Sequence, residues 1–216
     1  MNFAIIAQQL VSGMGSSLMI FVLTLLFSMP LGLLVAFGRM SKIKPLQAVI
    51  KVFIAILRGT PLMLQLLVVN FAPYYLFRIS LPRWYRFAAI IIGFSINYAA
   101  YFAEIYRSGI ESIPKGQYEA ASVLGYNKNQ TFFRIIFPQM VKRVLPPVTN
   151  EVITLVKDTS LAFVLAYEEM FTVAKQIASA RTSIMPLFVA GVFYFIFNGV
   201  VAFAMERIEK ELSYYH

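Results

Sequence analysis

The chain has no cysteine and a single histidine, His216, its last residue. Without thiols there is neither a disulfide framework nor a thiolate metal site, and one terminal histidine, as readily an ordinary end residue or a tag remnant as a ligand, excludes zinc chemistry and a serine–histidine–acid constellation. Charge is also scarce. Only 13% of the 216 residues are Asp, Glu, Lys or Arg, against roughly 25% in soluble domains. A glycine-rich loop ending in Gly-Lys-Ser/Thr is missing, so ATP is not held through such a loop. Internal repeats, low-complexity segments and a long linker are absent as well, which leaves residues 1–216 as one domain. The segment before the first apolar stretch lacks the basic start and small-residue cleavage pattern of a signal peptide.

What fills the chain is hydrocarbon. Hydrophobic residues make up 59% and the mean hydropathy is +0.72, the composition of an all-α polytopic membrane protein, since lipid admits only helices or closed barrels. Five stretches of about 20 residues each can span a bilayer: residues 14–37, 49–77, 87–106, 144–165 and 185–205. The second is broken by Arg58-Gly59-Thr60-Pro61, which reads as an approach helix, a break and a true span from Pro61. The fourth is interrupted by Lys157-Asp158-Thr159-Ser160.

The net charge of +9 comes without a basic run or an RNA-binding signature, so it points to an anionic membrane surface and lipid headgroups rather than to nucleic acid. Arg39, Lys42, Lys44 and Lys51, then Lys115, Lys128, Arg134, Lys142 and Arg143, then Arg207 and Lys210 outnumber the basic residues of the opposite loops. The N-terminus is therefore expected outside and the C-terminus in the cytoplasm. Arg78, Arg83 and Arg86 run against that trend beside Trp84, Tyr74, Tyr75 and Tyr85, an interfacial aromatic belt.

One polar island stands out, residues 119–138 within a loop of about 111–138. Its charges would be costly in lipid, so it lies in water. Pro114 suits the start of a helix that Glu119, Ala120, Ala121 and Ser122 continue and that Gly125 ends in the left-handed conformation. A second short helix is expected from Lys128 to a stop before Pro138. Small residues at 120, 121 and 125 allow close approach of a partner, and Glu119 offers a carboxylate; an amphipathic surface helix is the plainer alternative.

Glu-Ala-Ala at 119–121, Gly125, Ile136 and Pro138 together resemble the coupling loop of ABC-transporter permeases. Arg58-Gly59-Thr60-Pro61-Leu62 with Gln65, Lys157-Asp158-Thr159-Ser160-Leu161, and residues 97–110 resemble the branch that imports polar amino acids. A larger residue than usual stands at Tyr98, and Phe137 replaces the usual aliphatic before Pro138. The resemblance implies a type I importer transmembrane domain, dimeric with a second copy or a paralogue around a central pathway. It also implies separate ATPase subunits holding ATP and Mg, with no cofactor in this chain, and an extracellular solute-binding protein.

The residues themselves suggest a site. An ionisable group inside a span must face protein or water, and a zwitterionic solute needs a cation or helix N-terminus for its carboxylate and an acid for its ammonium. Arg107 and Asp158 are the candidates, with Gln65, Asn97, Tyr98 and Ser160 as neutral hydrogen-bonding groups. Glu104, three residues before Arg107, completes the set or only pairs with it to fix helix packing. The external loop from Arg78 to Arg86 is expected to dock the solute-delivering protein. A channel or secondary-transporter subunit is the other reading, which lacks a use for the 119–138 loop and the inverted repeats of most secondary transporters.

Overall fold

The computed structural model describes residues 3–212, so His216 lies outside the described residues. Small residues decide where the first helix packs. In α1 (Phe3–Arg39) Gly13, Ser17, Thr24, Ser28 and Gly32 follow one another at helical spacing on one face. Such stripes let backbones approach closely where lipid supplies no hydrophobic driving force. A β-carbon at Gly32 would stand 2.7 Å from Cβ of Phe102, so only glycine permits this crossing.

Next come α2 (Lys44–Gly59) and α3 (Leu62–Phe77), meeting at 111° across the Thr60-Pro61 break. Pro61 holds extended backbone and caps α3, as expected of a residue pair that resists helix. The central element is α4 (Tyr85–Glu111), which packs against α1, α2, α3 and α7. Along it Phe94, Tyr98, Phe102 and Tyr106, four apart, form a ladder of rings with centroids 6.0–6.5 Å apart, a favourable spacing for aromatic pairs.

Two short helices follow, α5 (Lys115–Val123) and α6 (Lys128–Thr131). The helix expected to stop before Pro138 does not stop. A wide turn at Phe132–Ile136 carries the chain straight into α7 (Phe137–Asp158), with Pro138 in its first turn. Proline costs little there, because a first-turn N–H has no regular partner, and the wide turn absorbs the misfit. The tract then tightens into a 3-10 segment (Thr159–Leu165) ending at Ala166, whose φ is 50°, so the interruption expected at 157–160 is where the α-helix gives way. Finally α8 (Met170–Arg181) and α9 (Met185–Leu212) close the bundle.

Among the described residues, α1, α4 and α9 are each long and apolar enough to cross a membrane, and the bent α2–α3 pair counts as a fourth. The stretch at 144–165 differs from these. Its helix α7 contains Pro146, Pro147, Glu151, Lys157 and Asp158 and buries a stripe of Val144, Val148, Val152 and Leu155 against the core.

Glu169 knots α1, α8 and α9 together. Its side chain is fully buried and caps α8 by accepting from the N–H groups of Phe171 (2.7 Å) and Thr172 (2.6 Å). The Thr172 hydroxyl (2.8 Å) and the Tyr194 hydroxyl of α9 (3.1 Å) donate to it as well. Ser17 of α1 lies 3.4 Å away and receives the N–H of Met170. A buried carboxylate is tolerable because its oxygens are met by donors on every side.

Candidate functional site

A cavity of about 540 Å³ opens between the end of α2, α4 and α7. Helical spacing builds two of its walls. From α4 come Tyr101, Glu104 and Ser108, and from α7 come Arg143, Pro147 and Glu151, four apart on one face. Arg58 enters from the last turn of α2, its guanidinium carbon 5.1 Å from the centre of the Tyr101 ring, a cation–π distance.

Most charges in this cavity are already matched. Arg107 donates to Glu104 through Nε (3.1 Å) and Nη2 (2.7 Å) and through Nη1 to Glu111. Glu104 also lies 3.7 Å from Arg39, and Arg143 donates to the carbonyl of Ser112. Two groups differ. Arg58 lies over the Tyr101 ring and feels Glu104 and Glu151 only through space, and Glu151, half-buried, accepts no hydrogen bond and makes no close ion pair among the described residues. A cation and a carboxylate that are not bonded to each other thus share one cavity wide enough for a small zwitterion.

The residues singled out from sequence are brought together only in part. Glu104 and Arg107 line the cavity and bond to each other. Gln65 and Asn97 do not line it; they bond to one another (3.0 Å) and to the end of α2. Tyr98 donates to Asp158 Oδ2 (2.8 Å) deeper in the bundle, and Ser160 returns its hydroxyl to the carbonyl of Lys157 (2.7 Å). Glu151 is not among the residues singled out from sequence, although an ionisable residue inside an apolar stretch, on the face of Arg143 and Pro147, is the signal that finds it. Tyr101 gives no such signal.

The polar loop forms a second feature. Gly125 has φ of 77°, accepted easily only by glycine. Its N–H reaches the carbonyl of Ser122 (3.1 Å) and that of Tyr126 the carbonyl of Ala121 (3.0 Å), the paired closure that terminates a helix on glycine. Asn127 and Gln130 then exchange side-chain and backbone bonds at 2.9 Å to start α6, a capping box. Glu119 and Ala120 face outward, whereas Ala121 is buried in the chain's own packing. Val123 and Leu124, 87% and 72% exposed, with Phe133 at 66%, project instead. Bare apolar knobs on an exposed polar loop are the mark of a contact surface.

Residues 28–214 match the family described as "Binding-protein-dependent transport system inner membrane component". The L-cystine transport system permease protein TcyB of Bacillus subtilis (strain 168) is 37% identical over 90% of this chain and 82% of its own length. A putative glutamine transport system permease protein of Rickettsia felis is 34% identical over 88% of this chain and 87% of its own. Among solved structures, an amino acid ABC transporter crystallised with histidines superposes with a TM-score of 0.86 at 29% identity, covering 98% of this chain and 99% of that one.

Proposed function

Because the chain belongs to the family of binding-protein-dependent transport system inner membrane components, a transport family of multi-pass cell-membrane proteins, we propose that it is the transmembrane subunit of an ATP-driven amino acid importer. The observation that carries the substrate class is the cavity lined by a cation, Arg58, and a carboxylate, Glu151, that attract each other through space without a direct bond between them. A zwitterion bridges such a pair, its carboxylate on the guanidinium and its ammonium on Glu151. Asp158, held by Tyr98, lies two turns beyond Glu151 on α7 and continues the acidic wall.

In this reading residues 1–216 form one permease unit that pairs with a second copy or a paralogue. Loop 111–138 faces the cytoplasm and enters a groove of a separate ATPase, which holds ATP and Mg, through Glu119, Ala120, Val123 and Leu124. The N-terminus is then outside, and the exposed Arg78 and Arg83 meet an acidic rim on a solute-binding protein. Arg86 is partly spent on the carbonyl of Ala166 (3.2 Å). The abundance of basic residues on the side of the 111–138 loop supports this orientation.

Reconstitution in vesicles with its ATPase and binding protein tests the proposal, with radiolabelled L-cystine, L-glutamine and L-histidine as probes. At least one is expected to accumulate in an ATP-dependent manner. Gly125→Val forces a β-branched residue into positive φ and is expected to abolish accumulation while the protein still inserts. Full uptake by that variant removes the coupling role, and failure of all three probes removes the substrate class.

A further inference from the structure

The last carbonyls of a helix have no partner within it, and at the end of α2 two amide side chains meet them. Gln65 Nε2 lies 2.8 Å from the carbonyl of Leu57, 2.9 Å from Thr60 Oγ1 and 3.1 Å from the carbonyl of Thr60. Asn97 Nδ2, reaching over from α4, lies 3.2 Å from the same Leu57 carbonyl and 3.0 Å from Gln65 Oε1. Thr60 adds a bond from its hydroxyl to the carbonyl of Ile56 (2.8 Å). The residue framed by these contacts is Arg58: the groups immediately before it and two positions after it are fastened to Gln65 and Asn97.

The geometry leaves these amides little to offer a solute. Both N–H groups of Asn97 are spent, and the two of Gln65 have three acceptors within reach. Asn97 is 4% exposed, and neither residue lines the cavity. One turn further along the same face of α4, Tyr101 lies beneath the Arg58 guanidinium, and Glu104 and Ser108 follow into the cavity wall. That face of α4 therefore fixes Arg58 at both ends, its backbone through Asn97 and its guanidinium through Tyr101.

We propose that Gln65 and Asn97 are positioning residues that set the affinity for the carboxylate of the transported amino acid by holding the Arg58 turn, without touching the solute. The proposal rests on reading the cavity as the amino-acid site. It predicts an effect on KM that exists only while Arg58 is present.

Uptake kinetics in reconstituted vesicles, with whichever of L-cystine, L-glutamine and L-histidine is carried fastest, test this through a double-mutant cycle. Asn97→Asp keeps the shape but turns an acceptor toward two acceptors; it is expected to raise KM roughly tenfold, since small misplacements of a binding group are costly, with kcat little changed. In an Arg58→Ala background the same substitution is expected to add nothing, because residues acting through one group are not additive. Thr60→Ser, which retains the hydroxyl, is expected to keep the parental KM. Multiplying effects of Asn97→Asp and Arg58→Ala overturn the positioning role while leaving the cavity reading intact. An unchanged KM in Arg58→Ala alone overturns the cavity reading, and the positioning role with it. Should Asn97→Asp not assemble with the ATPase, Gln65→Met, at a less buried edge, supplies the same cycle: a rise in KM that vanishes without Arg58 supports the positioning role, and a rise that persists without Arg58 overturns it.

Discussion

Glu169 and Glu151 both bring a carboxylate into the helical bundle, and their surroundings are opposite. Glu169 is fully buried, with two backbone N–H groups and two hydroxyls donating to it and a serine of α1 within reach. Glu151 faces a cavity of about 540 Å³ and no donor. Burial without a partner is expensive for a carboxylate, so a structural acid collects donors, as Glu169 does, and joins α1, α8 and α9. An acid that meets an arginine only through space, with no donor bonded to it, is costlier to hold, and in the proposed reading it is open to the ammonium of the solute. Between these extremes stand Glu104, held by Arg107, and Asp158, held by one tyrosine. In the proposed reading, the gradation from acids with bonded donors to an acid without them separates architecture from binding better than burial does.

The largest effect on assembly is expected at the matched end. Glu169→Gln places an amide NH₂ among groups that all donate, leaving at least one buried N–H or O–H without an acceptor and weakening the cap of α8. Each such orphan costs about 1–3 kcal/mol and a lost helix cap about 1 kcal/mol. The detergent-solubilised complex is expected to lose about 3 kcal/mol of stability, read as a clear drop in its melting temperature and in the yield of ATPase-bound permease. A variant that melts like the parent would mean that the donors around Glu169 are replaceable, and the comparison would lose its first term.

Smaller losses are expected in the middle of the range. Glu104→Gln breaks a two-point contact with Arg107, but the pair is partly exposed and Arg107 keeps Glu111; partly exposed pairs contribute about 1 kcal/mol or less. Asp158→Asn still accepts from Tyr98 and is expected to melt within about 0.5 kcal/mol of the parent, an ordinary tolerance for a substitution that strands no group. Uptake should nonetheless fall in Asp158→Asn if the acidic wall of α7 guides the solute. A lowered melting temperature with unchanged uptake would move Asp158 to the structural side.

How much of this is legible in the sequence follows from the kind of interaction involved. Apolar length locates the helices, and Gly125 and Thr60-Pro61 mark turns because φ is a local property that the residue type constrains. The passage of the chain through Pro138 is not legible, since a wide turn is chosen by packing at Ile136 and Met140 rather than by the proline alone. Where Gln65 and Asn97 direct their amides is not legible for a related reason. An amide in a span signals a polar contact, but whether its partner is a solute or the carbonyl of Leu57 depends on a helix end 40 residues away in sequence. Glu169 carries no local signal at all, because nothing near it announces that Tyr194 and Ser17 converge on it. Glu151 is within reach of sequence: an acid four residues after Pro147 and eight after Arg143 shares their helical face.

The smallest effect on stability, and the sharpest on transport, is expected at Glu151 itself. Glu151→Gln removes no hydrogen bond and no close ion pair among the described residues; it gives up the through-space attraction of Arg58 and relieves the cost of holding a carboxylate in a half-buried position. Melting should be unchanged or slightly raised, within about 0.5 kcal/mol of the parent. The bound amino acid, however, loses the partner of its ammonium. A charge-assisted hydrogen bond contributes about 1.5–3 kcal/mol, so KM should rise by an order of magnitude or more while ATPase assembly stays intact. Arg58→Ala should produce a rise of similar size from the other end of the same molecule, and a substrate lacking its α-amino group should be insensitive to Glu151→Gln yet sensitive to Arg58→Ala. If Glu151→Gln instead lowers the melting temperature as far as Glu169→Gln does, the carboxylate has a structural partner, and the contrast between the two acids disappears.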